Sequence, residues 1–515
     1  MSRQEKKKSI GFMIFAILLS VILVVFAGFL IYQIFKLQIL PDNILIPGIL
    51  AIVLFSVILF ILINFCAHGI ISKIIYSILV IIISVVYGFG NYYLYSTNAT
   101  LETVTDQSNL SKNTVSVVAL NSSSLEDVNS LEGSKLGVLK TIGKEATKKS
   151  LNDLKKNNVA YTKKTYDNML GMLKALYDGE VDAIVLNEAY RSNVCDLEDY
   201  TNFNNDTKII HKKVYYTKEN SSLLAVSDIT SKPFSILISG NDSFGSLDDT
   251  SRSDVDMLVT INPVTSTILM TSIPRDYYVK LANCGKKDKL THSALYGGTE
   301  NSIKTIEDFL DINIDFYARV DFQSVIQLVD ALGGIDIYSD KAFIPYTDHG
   351  IKIPKGNVHM NGRMALAFAR ERYTYQSGDQ HRTENQQAVL QAIIKKAVSP
   401  KILTNYSEIL DSIKDTFTTN MPSSSIRALV NKQLDDNIKW DFQKSFLKGE
   451  GVMQTGGYSM PKTKLWYSIP DEDSIELNSK YINAMCDGKK IDTEKKIFDV
   501  EKAEQEAKEA EKKTN

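Results

Sequence analysis

The sequence is poor in the residues that build metal and redox centres. Its four cysteines, Cys66, Cys195, Cys284 and Cys486, are far apart and form no C-x-x-C pair. That argues against the common zinc and dithiol motifs. The six histidines are scattered without ligand spacing, and no H-E-x-x-H is present. So few cysteines also disfavour a disulfide-dense secreted scaffold. A Cys284–Cys486 bridge is possible for a segment outside a membrane, and the sequence leaves it open. Excess charge of one sign is missing too: 58 Lys and Arg face 60 Asp and Glu, a net of -2 over 515 residues. Binding to nucleic acid through a bulk positive field is therefore disfavoured, and any anion site must be local.

What the chain has is long apolar runs. Ile10 to Phe35, Ile44 to Phe65 and Ile70 to about Tyr95 are almost free of charge. Each exceeds or matches the ~20 residues that a membrane helix needs. The first is too long for a signal-peptide core and no small-residue cleavage site closes it. Arg3, Lys6, Lys7 and Lys8 favour a cytoplasmic N-terminus, and Lys73 favours the same side for the second connection. Three crossings then place everything after Tyr95 outside the cell, with Tyr92, Tyr93 and Tyr95 as an interfacial anchor.

Two further parts are expected there. Residues 1–9 read as a tail, 10–95 as spans and 96–110 as a polar linker. Residues 111–228 form a small α/β unit: "SKLGVLK" alternates like a strand, "DNMLGMLKALYDGE" is helical and "VDAIVLN" is a second strand. Residues 229–490 form a larger α/β unit, and 491–515 a charged tail with no apolar stripe to bury. In the larger unit three β-rich runs border polar residues: Asp242; Arg252 and Asp254; Arg275 and Asp276. In α/β sheets, ligands collect in loops beyond strand ends. Helices follow at Thr299–Leu310, at "FQSVIQLVDALGG" and at "NGRMALAFARER", which runs out near Arg370. Thr383 is the expected N-cap of a long amphipathic helix, with Arg382 before it and Gln386 one turn in.

Arg252, Arg275, Arg370, Arg372 and Arg382 thus stand near expected loops or helix ends. Arginine presents a planar fork of donors that matches phosphate oxygens. Asp242 and Asp254 could hold a hard divalent cation through oxygen. Such a set would neutralise a pyrophosphate. Spacing alone leaves the alternative equally open, in which these charges pair with one another.

The stretches "RSDVDMLVTINP", "TSIPRDYYV", "DKLTHSALYGG", "LVDALGGIDIY" and "LAFARERYTYQSGDQHRTENQQ", in this order and spacing, resemble the LytR–CpsA–Psr (LCP) family over roughly Phe234 to Val398. The three-span N-terminus is similar to that family's streptococcal capsule branch. The resemblance implies an α/β fold: N-terminal transmembrane helices, a small α/β accessory domain, then an α/β/α domain with a central mixed sheet. It implies a membrane-anchored phosphotransferase that moves a glycopolymer from a polyprenyl-pyrophosphate carrier to peptidoglycan, with pyrophosphatase side activity. Asp242 and Asp254 match its metal-holding aspartates, for Mg²⁺ or Mn²⁺. Arg252, Arg275, Lys289, Arg370, Arg372, Arg382 and Gln386 match the pyrophosphate-gripping groups, and Arg275 and Asp254 are the expected catalytic pair. The first loop reads "GNDSFG" rather than the commoner "GSDSR", so a basic residue after Ser243 is missing. Arginine stays protonated and is a poor base, which leaves Asp254, Asp276 or Asp379 for that role. Capsular polysaccharide is the expected polymer, and capsule export or kinase proteins are further expected partners. The competing reading is a non-enzymatic regulator of capsule synthesis that senses the lipid-linked precursor.

Overall fold

The computed structural model describes residues 10–106, 110–140, 143–195, 197–218, 228–241, 253, 255–376, 378–399, 402–414 and 417–506. It opens with α1 (Ile10–Leu37), α2 (Asp42–Ile61), which runs on through a π turn to Cys66, and α3 (Ile70–Asp106). All three are long and apolar enough to cross a membrane. The expected linker at 96–110 is instead helical as far as Asp106. At about 1.5 Å per residue, the 37 residues of α3 reach about 55 Å, well beyond a ~30 Å hydrocarbon layer. Some of the polar residues that suggested a linker face protein: Asn98 and Thr100 are buried, and Thr100 Oγ1 donates to Asp411 Oδ1 at 2.8 Å.

A five-stranded sheet follows, in the order β3-β2-β4-β1-β5. It comprises β1 (Leu110–Leu120), β2 (Lys135–Leu139), α4 (Lys144–Lys156), β3 (Thr162–Tyr166), α5 (Met169–Tyr177), β4 (Ala183–Asn187), the short α6 (Arg191–Cys195) and α7 (Phe203–Asp206), and β5 (Thr207–Lys218). Strand β2 is parallel to β3 and β4, while β1 runs antiparallel to β4 and β5.

The larger unit runs β6 (Phe234–Asn241), β7 (Val255–Asn262), β8 (Thr267–Ile273), β9 (Tyr278–Lys280), β10 (Lys287–Lys289), α8 (Gly298–Leu310), β11 (Phe316–Asp321), α9 (Phe322–Ala331), β12 (Ile335–Ser339), β13 (Gly356–Met360), α10 (Gly362–Arg370), α11 (Asp379–Ala397), α12 (Ile402–Ile413), β14 (Phe417–Thr419), α13 (Ser423–Asp436), β15 (Asp441–Phe446), β16 (Gly449–Gln454), β17 (Leu465–Pro470) and α14 (Glu472–Cys486). Its main sheet is mixed, in the order β14-β11-β6-β7-β8-β15. The strands alternate which face they fill. Leu237, Leu258 and Leu269 pack against Ile303 and Ile306 of α8 and Ile482 of α14. Met257, Val259 and Met270 meet Leu390 and Ile394 of α11 on the other face. This is the α/β/α sandwich the sequence implied. Helices α12 and α13 seat it on the apolar helices: Leu410, Ile426 and Val430 pack against Leu37, Ile39 and Leu101. Arg427 and Asn431 donate to the Lys36 and Ile39 carbonyls, each at 3.3 Å.

The cysteine pairing left open is not made, and one further expectation fails. Cys284 and Cys486 are both free thiols. The C-terminal stretch is not a bare tail at its start: Ile491 is buried in the core beside α14, Asp492 bridges Ile497, and Phe498 stacks near Tyr481 at 5.0 Å.

Candidate active site

Strand register brings the charged strand ends to one edge of the main sheet. Gly240 pairs with Val255, Asp256 with Ile273, and Asn241 with Asp321. The carboxyl ends of β6, β8 and β11 and the start of β7 therefore share that edge. Asp242, Arg252 and Asp254 lie outside the described residues. Their chain neighbour Ser253 is buried there, donating to Asp256 Oδ1 at 2.7 Å and accepting from Ser239 Oγ at 2.8 Å. Among the described residues no group of three or more acidic, His or Cys side chains could hold a metal ion.

Beyond β8, Pro274–Tyr277 is a turn closed by Tyr277 N–H to the Pro274 carbonyl at 3.2 Å. Its backbone is held on two sides. Thr291 N–H donates to the Arg275 carbonyl at 2.8 Å, and Ser468 N–H to the Asp276 carbonyl at 2.9 Å. Thr291 also donates through Oγ1 to the Ser253 carbonyl at 2.6 Å, so one loop fastens both strand ends. Asp276 does not face solvent as a turn residue. It accepts Lys289 Nζ at 2.8 Å and Arg275 Nε at 3.4 Å, so two of the expected site cations share one carboxylate. Lys289 also lies 5.7 Å from the centre of the Tyr467 ring.

Lys289 ends β10, and the residue before it is a buried anion. Asp288 accepts His292 Nδ1 at 3.0 Å, the Ser459 N–H at 2.8 Å and the Lys289 N–H at 2.8 Å. Burial alone would raise its pKa, but His292 and the two backbone donors outweigh it and hold the carboxyl below its ordinary range. His292 Nε2 lies 2.9 Å from Asn193 Nδ2, on α6 of the smaller unit. Tyr190 and Val194 pack around this contact against Leu295 and Met460. The smaller unit is thus docked directly behind the Lys289 segment.

Arg370 closes α10 with its guanidinium 4.2 Å from the Phe322 ring centre, at the carboxyl end of β11. Glu371, buried at 1% exposure, fixes the turn after it. Its carboxylate accepts N–H groups from Tyr346 at 2.8 Å, Tyr373 at 2.7 Å and Thr374 at 3.0 Å. Desolvation pushes this acid up, but the backbone donors win and its pKa stays below normal. Arg372, next but one, is exposed and donates to the Tyr373 hydroxyl at 2.6 Å.

Helix α11 begins at Asp379 after Gly378, so Thr383 is not its N-cap; Thr383 Oγ1 bonds the Asp379 carbonyl from inside the helix at 3.1 Å. Sequence reading took the threonine as the start of the helix, but the chain already turns into it at Gly378, at φ +51°. Arg382 consequently sits in the first turns and pairs with Asp379 at 2.7 Å. Gln386 follows one turn later on the same stripe. Two buried amides that the sequence did not single out anchor this helix. Gln387 Nε2 lies 3.2, 3.0 and 3.0 Å from the Met270 carbonyl, Ser272 Oγ and the Ser445 carbonyl. Asn385 Nδ2 donates to the Phe368 carbonyl at 3.0 Å. Through them α11 is tied to the end of β8, three residues before Arg275, and to the end of α10, two before Arg370. The available signal was an amide on each apolar stripe of α11, Asn385 on that of Val389 and Gln387 on that of Leu390 and Ile394.

Arg275 and Lys289 are thus in contact through Asp276, while Arg370 and Arg382 are carried by helices locked to the same edge. Arg372 projects outward onto Tyr373. The described part is a cationic rim on a rigid sheet edge, able to bind a multiply charged anion.

The chain is similar to several known proteins. The chain is 33% identical over 282 residues, 55% of its own length and 88% of the relative's, to the polyisoprenyl-teichoic acid–peptidoglycan teichoic acid transferase TagU of Bacillus cereus (strain AH820). It is 32% identical over 260 residues to TagU of Bacillus subtilis (strain 168), covering 48% of this chain and 78% of that one. Among solved structures, TagV of B. subtilis shares 30% identity and covers 50% of this chain and 98% of its own, with a TM-score of 0.43. The LytR_cpsA_psr family model matches residues 199–468, just over half of the chain, and the protein belongs to that family.

Proposed function

We propose that the protein is a membrane-anchored phosphotransferase that moves a glycopolymer from a polyprenyl-pyrophosphate carrier to peptidoglycan, as the names of its relatives describe for teichoic acid. The observation that carries this reading is the shared carboxylate of Asp276, which poises Arg275 and Lys289 at a sheet edge otherwise built from arginine-bearing segments. Arg252, Arg275, Lys289, Arg370, Arg372, Arg382 and Gln386 grip the pyrophosphate. The apolar layer of Met257, Met270, Leu390 and Ile394 between sheet and α11 accommodates the prenyl chain. Three apolar helices hold the domain at the bilayer, with the sheet units on its outer side. Capsular polysaccharide is the polymer, and capsule export or kinase proteins are its partners in the membrane.

In the reaction a wall-sugar hydroxyl attacks the sugar-linked phosphorus. The new P–O bond forms as the bridging P–O bond breaks, polyprenyl phosphate leaves and the hydroxyl proton passes to a carboxylate. Asp254, Asp276 and Asp379 are the candidate bases; Asp276 and Asp379 each pair with a cation, so either would have to leave its partner to take the proton. Arg275 meets the charge that grows on the equatorial and leaving oxygens. Asp242 and Asp254 have the oxygen-donor chemistry to hold Mg²⁺ or Mn²⁺, which would add charge neutralisation at the pyrophosphate. The test is transfer of a labelled glycan from a short-chain prenyl-pyrophosphate donor to peptidoglycan fragments by the purified full chain. Turnover is expected, and Arg275→Ala should abolish it while the melting profile stays unchanged. Donor binding without turnover by the native protein would instead support the precursor-sensing regulator.

A further inference from the structure

The smaller unit carries a feature that the transfer chemistry does not use. Helix α4 turns Ala146, Ser150 and Leu154 onto the sheet, where they meet Val117 of β1, Val185 of β4 and Ile210 of β5. It therefore lies over the middle of the sheet and leaves the face of the edge strand β3 uncovered. Residues 162–165 of β3 are all exposed. The result is a groove of about 720 Å³ between α4 and β3, floored by Val138, Leu151, Val159 and Tyr161. Its rim is cationic: Lys140, Lys144, Lys148, Lys155 and Lys163 line it, and no acidic side chain does.

This charge is local. Residues 140–164 hold eight lysines against two acids, Glu145 and Asp153, on a chain of net charge -2. Asp153 is consumed elsewhere, by His211 at 2.8 Å and Lys213 at 2.7 Å. Lys140 has a loose pair with Asp167 at 3.6 Å. Among the described residues, Lys144, Lys148, Lys155 and Lys163 have no ion pair. Lys144, Lys148 and Lys155 follow one stripe of α4, and at about 1.5 Å per residue they extend the cationic rim over ~16 Å. That is too long for a single small anion and suits anionic groups recurring along an extended chain. Lysines act as loosely placed point charges rather than bidentate forks. Such a groove holds a polyanion weakly and without fixed register, as suits a polymer that must pass along it.

We propose that the groove between α4 and β3 is a docking site for the anionic segments, phosphodiester or carboxylate, of the glycopolymer itself, distal to the pyrophosphate end that the main sheet grips. This rests on the transfer reading in taking the polymer as occupant. The smaller unit is suited to steer that chain, because α6 is fixed through Asn193 and His292 to the segment bearing Lys289.

The test uses the full chain in neutral phosphatidylcholine nanodiscs. The probes are a lipid-free, fluorescently labelled poly(glycerol phosphate) oligomer and neutral dextran of equal length. The native protein should bind the polyanion and not dextran, with affinity falling as salt rises. The combined variant Lys144→Glu/Lys148→Glu/Lys155→Glu should lose about tenfold or more in polyanion affinity, since three weak exposed ion pairs become repulsions. Binding of a short-chain prenyl pyrophosphate should not change. The triple Lys→Gln variant, which keeps volume and removes charge, should give a smaller loss and guards against misfolding of the Glu variant. Equal polyanion affinity in native and charge-reversed proteins would overturn the proposal. So would loss confined to phosphatidylglycerol-containing discs, which would assign the groove to a lipid surface. The readout needs no turnover, so the docking site and the transferase reading can fail separately.

Discussion

Glu371→Gln isolates the turn between Arg370, the last residue of α10, and Arg372. The carboxylate has 1% exposure and takes three backbone N–H groups at 2.7, 2.8 and 3.0 Å. An amide fits the same volume but offers only one oxygen. If that oxygen keeps the Tyr373 and Thr374 donors, the NH₂ group meets the Tyr346 N–H donor to donor. One charge-assisted bond is lost, about 1.5–3 kcal/mol, and a buried donor is orphaned at about 1–3 kcal/mol. Allowing for local relaxation, the loss should be about 2–4 kcal/mol. Urea unfolding of the full chain, followed by tyrosine fluorescence, reads it. The pH dependence gives a second handle. Glu371 is held below its normal pKa in the fold. Its contribution is therefore present above the unfolded value near ~4.3 and is lost as pH falls through the lower folded value. Native stability should decline more steeply than that of the variant between about pH 5 and 3. Donor affinity should also fall, because Arg370 and Arg372 flank the loosened turn. A variant within about 0.5 kcal/mol of native, with unchanged acid sensitivity, would refute this account of the turn.

Further outcomes follow from neighbouring anchors. Gly362→Ala would drive its Cβ into the Ile326 carbonyl where α9 and α10 touch; a cost of about 3 kcal/mol is expected, read as a lower thermal midpoint, with donor KM raised because Arg370 moves with α10. Gln387→Leu leaves the Met270 and Ser445 carbonyls without its amide; about 1–3 kcal/mol of stability should be lost, and donor KM should rise more than kcat falls. Asp288→Asn replaces the buried carboxylate that accepts His292 Nδ1 and the Ser459 and Lys289 N–H groups; about 1–3 kcal/mol is expected from a buried donor left unpaired, seen as earlier release of the smaller unit in hydrogen exchange. Because Asp288 is held below its ordinary pKa, the native contribution should fade as pH drops below about 4, and the variant should lack that acid step.

The legibility of this fold followed from period and length. Alternating or continuous apolar runs at Phe234–Ser239 and after Val255 and Thr267 could only be strands of a covered sheet, and the apolar N-terminal runs could only be long helices. Side-chain partnership was not legible, because it depends on register. Nothing local in "SIPRDYYV" says that Asp276 will face Lys289 thirteen residues on; the β9–β10 pairing, Tyr278 opposite Lys289, decides it. Polar residues misled where they served as contacts. Thr100 read as linker and is a docking group on a helix; Thr383 read as a cap and is interior. Glu371, Asn385 and Gln387 went unnoticed because burial, not residue type, gives them their roles.

Those overlooked residues explain how so many cations can be held near one sheet edge in the absence of a ligand. Two unit charges 6 Å apart repel by roughly 3 kcal/mol at an effective dielectric near 20. A fold relying on the pyrophosphate to offset this would splay open when empty. Here each cationic segment is instead fixed from behind. Asp276 bridges Arg275 and Lys289 and offsets one of their two charges, Glu371 clamps the turn between Arg370 and Arg372 by its backbone, and Gln387 pins α11 to β8. Asp276 accordingly differs from the other two anchors, since it competes with the ligand for the same guanidinium and ammonium. If pyrophosphate oxygens take over Lys289 and Arg275 as proposed, part of their gain would be spent on breaking the Asp276 pairs, and the released carboxylate would push the anion away. That opposition would favour departure of the polyprenyl phosphate product, which keeps only one of the two phosphate groups and so has fewer oxygens with which to hold the two cations. Asp276→Asn should therefore tighten binding of both donor and product, and slow turnover through product release rather than through chemistry.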